Sequence, residues 1–163
     1  MKISNFIIII TCACLIISGC KKEKPPSIDD IDARIDLLGT NHNSTRNFNY
    51  GENMVFKYIE YNKTNETINY YTANCPTFLF QVYNENDSLI GDAIPFNWGC
   101  TDILSLSEIL PKESKSYEIN WFNDTTNIAL PVGNYKLKFN NTITIYETKE
   151  RKTYHLEINF KVE

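Results

Sequence analysis

Histidine is nearly absent from this 163-residue chain, which carries only His42 and His155, with two methionines, two tryptophans, six glycines and six prolines. Nucleophilic catalysis needs a hydroxyl or thiol beside a base. Here one histidine stands among asparagines and the other in an alternating apolar and polar run, so neither offers such a pair. No Gly-x-Ser-x-Gly, His-Glu-x-x-His or paired-cysteine zinc spacing occurs, and Asp29-Asp30-x-Asp32 lacks the glycine and distal glutamate of a calcium loop. The chain is therefore read as a non-enzyme with no metal site and no cofactor. Apolar residues at helical spacing are missing too, which excludes bundles and coiled coils, and no segment repeats at solenoid length. Basic residues, 16 against 20 acidic, leave a formal charge of −4. A nucleic-acid partner, which needs a basic face for phosphate, is not expected.

What is there begins with Lys2 and the apolar stretch Phe6 to Ile17, broken only by Thr11 and the small Cys12, Ala13 and Cys14. A membrane-spanning helix requires roughly 20 apolar residues. A positive start, a shorter apolar centre and small residues after it read instead as a cleaved secretory signal. The ending Ile17-Ser18-Gly19-Cys20 resembles the lipobox of bacterial lipoproteins. That resemblance implies a lipid on the Cys20 sulfur, cleavage ahead of it and acylation of the new amino group. At about 0.8 kcal/mol per buried methylene, one acyl chain holds marginally and two or three hold durably. The organisation expected is a signal peptide over 1–19, a charged and proline-rich tether over 20–27, and one domain over 28–163. The expected location is the outer membrane of a Gram-negative cell, lipid-anchored on its periplasmic or surface face.

Five cysteines then reduce to a simple choice. Cys12 and Cys14 leave with the signal and Cys20 carries lipid, so Cys75 and Cys100 either pair or remain two buried thiols. Export favours the pair. It closes a loop of about 26 residues, worth roughly 3 kcal/mol in the chain-entropy model.

The domain reads as β throughout. Ile31, Ala33, Ile35 and Leu37 alternate with Asp32, Arg34 and Asp36, and Met54, Phe56, Tyr58 and Glu60 share one face of a second strand. Asn62 to Glu66 is turn chemistry. Thr67 to Tyr71, Phe78 to Tyr83, Leu89 to Gly91, Ala93 to Trp98 and Ile103 to Leu110 follow as short strands. Tyr117, Ile119 and Trp121 form one apolar face, as do Tyr135, Leu137 and Phe139 after Gly133. Thr142 to Tyr146 and Thr153 to Val162 close the chain, joined by a charged tip. Eight to ten short strands with regular turns predict an all-β, antiparallel, immunoglobulin-like β-sandwich.

The runs Tyr61 to Ile68, Phe80 to Gly91, Leu110 to Tyr117 leading to Trp121, and Leu130-Pro131-Val132-Gly133-Asn134-Tyr135 together resemble the intracellular proteinase inhibitor domain family over roughly residues 50 to 140. The resemblance implies an immunoglobulin-like module and, as one activity, protease inhibition. This chain departs from that family in its export signal, its Cys75 and Cys100, and an added C-terminal hairpin.

Two kinds of surface site are expected. The stretch Asp92 to Thr101 offers Phe96 and Trp98 as a candidate binding loop, with Trp98 alternatively packed into the core beside the bridge. Asp87-Ser88-Leu89 and Asp124-Thr125-Thr126 look like a short bacterial O-glycosylation motif, placing candidate glycans on Ser88 and Thr125. The function read from the sequence is a lipid-anchored envelope module that binds another envelope protein, a protease or a glycan, or that serves as a structural component.

Overall fold

The computed structural model describes residues 24–73, 79–93, 104–123 and 127–163. Their chain is almost entirely strand, as the alternation demands: β1 (Ile31–Leu38), β2 (Asn47–Phe48), β3 (Val55–Asn62), β4 (Ile68–Ala73), β5 (Leu79–Asn84), β6 (Leu89–Ala93), β7 (Leu104–Ile109), β8 (Ser114–Asn120), β9 (Gly133–Ile145) and β10 (Arg151–Val162). Two 3-10 turns, Ile28–Asp30 and Trp121–Asn123, are the only helical elements among the described residues.

The strands form an immunoglobulin-like sandwich of two sheets. The smaller sheet runs β1-β3-β8 and the larger runs β2-β10-β9-β4-β7, with β5 alongside β9 and β6 beside β5. All pairings are antiparallel except the short β2-β10 pair, where Asn47 and Phe48 lie opposite Lys161 and Val162. β3 and β4 are consecutive in the chain but lie in different sheets, so the turn between them crosses the sandwich. Asn62 builds that turn. Its Nδ2 donates to the carbonyls of Glu66, Ile109 and Leu110, while its Oδ1 accepts from the Thr64 amide at 2.8 Å.

Inward positions obey the period of two. From the small sheet come Ile35, Leu37, Phe56, Tyr58 and Ile119, and from the large sheet Phe80, Val82, Leu137, Phe139, Ile158 and Phe160. Phe139 packs at 4.5 Å between ring centroids against both Tyr58 and Phe80, joining the two sheets. Trp121 is fully buried, though it opens a 3-10 turn and does not continue β8. Its ring lies edge-on to Phe56 at 5.9 Å. A Cβ at Gly91 would stand 2.9 Å from the Trp121 ring, so only glycine lets β6 pass this close.

Two stretches expected as separate strands, Gly133 to Phe139 and Thr142 to Tyr146, are one 13-residue strand, β9. At about 3.3 Å per residue it runs some 40 Å, from one pole of the sandwich to the other. Along one edge it pairs first with β5, where Asn84 faces Tyr135 and Leu79 faces Asn140, and then with β4, where Thr72 faces Ile143. In the next strands out, Ala93 of β6 faces Phe80, and Leu104 of β7 faces Ala73.

The segment ahead of β1 meets the sandwich at the pole formed by the β9–β10 turn. Ser27 caps the first 3-10 turn, its hydroxyl donates to Glu150 at 2.9 Å, and the Ile28 amide reaches the same carboxylate at 2.8 Å. Lys152 pairs with Asp29 at 3.1 Å, and the Lys63 amide donates to the Asp30 carbonyl. The opposite pole carries the β5–β6 turn, the start of β9 and the end of β10. There the Glu52 carboxylate gathers the Thr40 hydroxyl and the Asn49 amide, and hydrogen bonding from the Asn49 backbone is the main reason its carboxyl is held below the ordinary range.

Candidate functional site

Two polar constellations stand out in a sandwich otherwise divided into apolar interior and solvated faces. The first is inside. Glu60, fully buried on β3, points between the sheets because it shares the parity of Phe56 and Tyr58. Its Oε1 accepts from the Tyr58 hydroxyl at 3.0 Å and from Asn141 Nδ2 at 3.1 Å, and its Oε2 accepts from the Tyr70 hydroxyl. Tyr70 and Asn141 belong to the opposite sheet, so the carboxyl binds the two layers together at a fixed register.

The polar chain continues from Tyr70 to the Tyr117 and Ser107 hydroxyls, and Lys115 Nζ donates to Ser107 at 3.1 Å on the β7–β8 side. Burial raises the Glu60 carboxyl above its ordinary range despite the donors aimed at it. Burial, reinforced by the Glu60 charge, pushes the Tyr58 and Tyr70 hydroxyls far up and the Tyr117 hydroxyl up to about 12. Zero exposure denies Glu60 any contact with a dissolved ligand, so its chemistry is that of a cross-sheet fastener.

The second constellation is outside, on the larger sheet at the pole remote from Ser27 and the β9–β10 turn. A groove of about 510 Å³ opens there over the start of β9 and the end of β10. The antiparallel and parallel registers set its floor in two rows. Asn47, Lys161 and Asn134 stand side by side across β2, β10 and β9, and Asn159 and Lys136 stand side by side across β10 and β9, with Tyr83 of β5 beyond. Arg46 and the β5–β6 turn, with Glu85 and Asp87, form its walls.

The turn is held firmly. Asn84 Oδ1 accepts the backbone amides of Asn86 and Ser88, both at 3.0 Å, and Asp87 takes a left-handed φ of 54°. Asp87 then receives Lys136 at 3.0 Å and Lys138 at 3.9 Å, and Lys161 pairs with Glu163 at 2.9 Å. The hydrogen bond and charge of Lys136 keep the Asp87 carboxyl below its usual range, and Asp87 in turn raises Lys136. The side-chain amides of Asn47, Asn134 and Asn159 have no hydrogen-bond partner among the described residues.

Of the residues singled out from sequence, Ser88 lies where a turn was expected, exposed beside the groove. His42 sits in a loop with φ of 55°, and His155 stands on the exposed face of β10 with Nδ1 2.6 Å from Asn140 Oδ1. Cys20, Cys75, Phe96, Trp98, Cys100 and Thr125 lie outside the described residues, as does the signal peptide. No three histidine, cysteine, aspartate or glutamate side chains gather as a metal site among the described residues. Sequence reading placed Glu60 on the correct face but gave no sign of Tyr70 and Asn141 as its partners. The groove left no signal, because each of its polar residues is an ordinary surface position on its own strand, bend or turn.

No family model matches the sequence, so the resemblance to the proteinase inhibitor family gains nothing from that comparison, and no curated protein matches either. Among solved structures, the ApaA protein from Bordetella pertussis shares 8% identity over 82% of this chain and 94% of its own, at a TM-score of 0.48. AggA, the major subunit of aggregative adherence fimbriae type I from Escherichia coli, shares 11% over 81% and 96%, at 0.46. A PapD-like domain of human CEP192 shares 11% over 86% and 92%, at 0.38. Similarity at this level carries no functional argument, and the fold stands on the strand pairing described above.

Proposed function

We propose that this chain is a lipid-anchored protein of the cell envelope whose sandwich is a binding module and not an enzyme. The observation that supports it is polarity along the long axis: the tether joins at one pole, through Ser27, Asp29 and Glu150, and the groove opens at the other. Lipidation at Cys20 places the first pole against the membrane and turns the groove outward. Replacing Cys20 with serine removes the acyl chains. The expected result is transfer of the protein from the membrane to the soluble fraction, and a Cys20→Ser protein that still sediments with membranes sinks the anchor.

A disulfide between Cys75 and Cys100 belongs to the same proposal. Cys75 lies two residues beyond Ala73 and Cys100 four residues before Leu104, and Ala73 and Leu104 face each other across β4 and β7. Each residue spans at most about 3.3–3.6 Å, so both cysteines are within reach of the Cα separation a bridge requires. Mass spectrometry after alkylation of the unreduced, denatured mature protein is expected to find neither thiol labelled, and Cys75→Ser is expected to cost roughly 3 kcal/mol. Two labelled thiols contradict the bridge.

A further inference from the structure

The groove at the tether-remote pole points to a ligand class, given the binding-module reading on which this step rests. We infer that it binds an uncharged oligosaccharide. Three observations narrow the choice. Its charges balance: Lys136 is held by Asp87 and Lys161 by Glu163, and the remaining cation, Arg46, shares the walls with the Glu85 carboxylate, so little net field remains for an anion. Its apolar neighbours are closed off. Tyr135 is only 8% exposed, stacks on Phe160 at 5.5 Å and spends its hydroxyl on the Pro131 carbonyl at 2.7 Å. The floor strands β9 and β10 spend their facing backbone groups on each other, which leaves no ladder there for an extended peptide.

What is left is an array of fixed hydrogen-bonding groups. Asn47, Asn134 and Asn159 each present one acceptor and two donors, and adjacent hydroxyls of a sugar ring can engage both ends of such an amide. Asp87 adds acceptors from a turn pinned by Asn84, Lys136 adds donors from a paired strand, and Arg46 adds donors from just ahead of β2, where its carbonyl accepts the Lys161 amide. The groove volume lies within the usual range for ligand sites, roughly 300–1,000 Å³, and nine of its eleven lining residues carry a charged or amide side chain.

The test uses the full lipoprotein, extracted in a detergent without a sugar headgroup. It is titrated calorimetrically with maltohexaose, cellohexaose, xylohexaose and mannohexaose, and with polygalacturonate as the charged comparison. Saturable binding of at least one neutral probe is expected, unchanged by high salt and weakened about tenfold or more by Asn159→Ala and by Asn134→Ala. The thermal midpoints of both variants are expected to match the parent protein, since both side chains are on the surface. Binding of none of the neutral probes, binding that both substitutions leave intact, or binding of polygalacturonate alone that salt abolishes would each overturn the assignment. A protein that binds none of them yet still fractionates with membranes loses the saccharide and keeps the anchor; one that leaves the membrane fraction without any substitution loses the anchor itself.

Discussion

Replacing Glu60 with alanine is expected to destabilise the sandwich by about 3–5 kcal/mol, read as a lowered urea midpoint by circular dichroism. The size follows from what is left behind. Tyr58, Tyr70 and Asn141 all donate to this carboxyl, and two of the three belong to the facing sheet. Truncation strands these donors in a dry interior, at about 1–3 kcal/mol for each unsatisfied group before relaxation, and also opens a void.

Glu60→Gln keeps the volume and one acceptor, and it isolates the charge. Burial is the main reason the Glu60 carboxyl holds its proton more tightly than an ordinary glutamate, with the Tyr70 and Tyr58 hydrogen bonds opposing it. A proton bound more tightly by the folded chain stabilises the fold in acid. That contribution is complete below about pH 4.3, the ordinary glutamate value, and is lost as pH rises through the raised folded value. The stability of the parent protein relative to Glu60→Gln is therefore expected to fall from acid towards neutral pH. A difference that grows with pH contradicts the raised carboxyl.

Trp121→Ala is expected to cost a similar 3–5 kcal/mol in the same denaturation experiment. Trp121 is the largest fully buried side chain among the described residues, and four connections pass through it. Its ring packs edge-on to Phe56 and lies under the gap that Gly91 leaves in β6. Its Nε1 donates to the Ile128 carbonyl at 2.9 Å, and its backbone oxygen accepts Asn127 Nδ2 at 2.8 Å. Removing the indole leaves a cavity and an unpaired Ile128 carbonyl, while the Asn127 bonds to backbone carbonyls and the buried Leu130 still hold the ends of the 127–130 segment. Phenylalanine restores part of the ring contact without the Ile128 hydrogen bond, so Trp121→Phe is expected to fall between alanine and the parent. Equal stability of all three would mean that this residue does not fasten that segment.

The fold was legible wherever alternation was clean. Ile35 and Leu37 of β1, Tyr117 and Ile119 of β8, and Ile158 and Phe160 of β10 announce an inner and an outer face on sequence alone, and the structure has them on the expected sides. Legibility fails at Asn140-Asn141, which reads as a break between two strands. Both asparagines are within β9: Asn140 faces outward against His155, and Asn141 turns inward to Glu60. A buried polar residue whose partner lies on another sheet looks like a turn until the partner is known. The groove is hidden for the same reason in another form. Asn47, Asn134 and Asn159 come from three strands, and only the registers of β2, β10 and β9 make them neighbours.

The central claim, a sandwich held at one pole and presenting the other, is tested most directly by depth measurement on the membrane-bound lipoprotein. A fluorophore is attached through Thr148→Cys in the β9–β10 turn or through Glu85→Cys in the β5–β6 turn, and quenched by nitroxide carried on lipid headgroups. The poles are about 40 Å apart along β9, far beyond the reach of contact quenching. The account predicts strong quenching at position 148 and little at position 85; equal quenching at both, or stronger quenching at position 85, would contradict it.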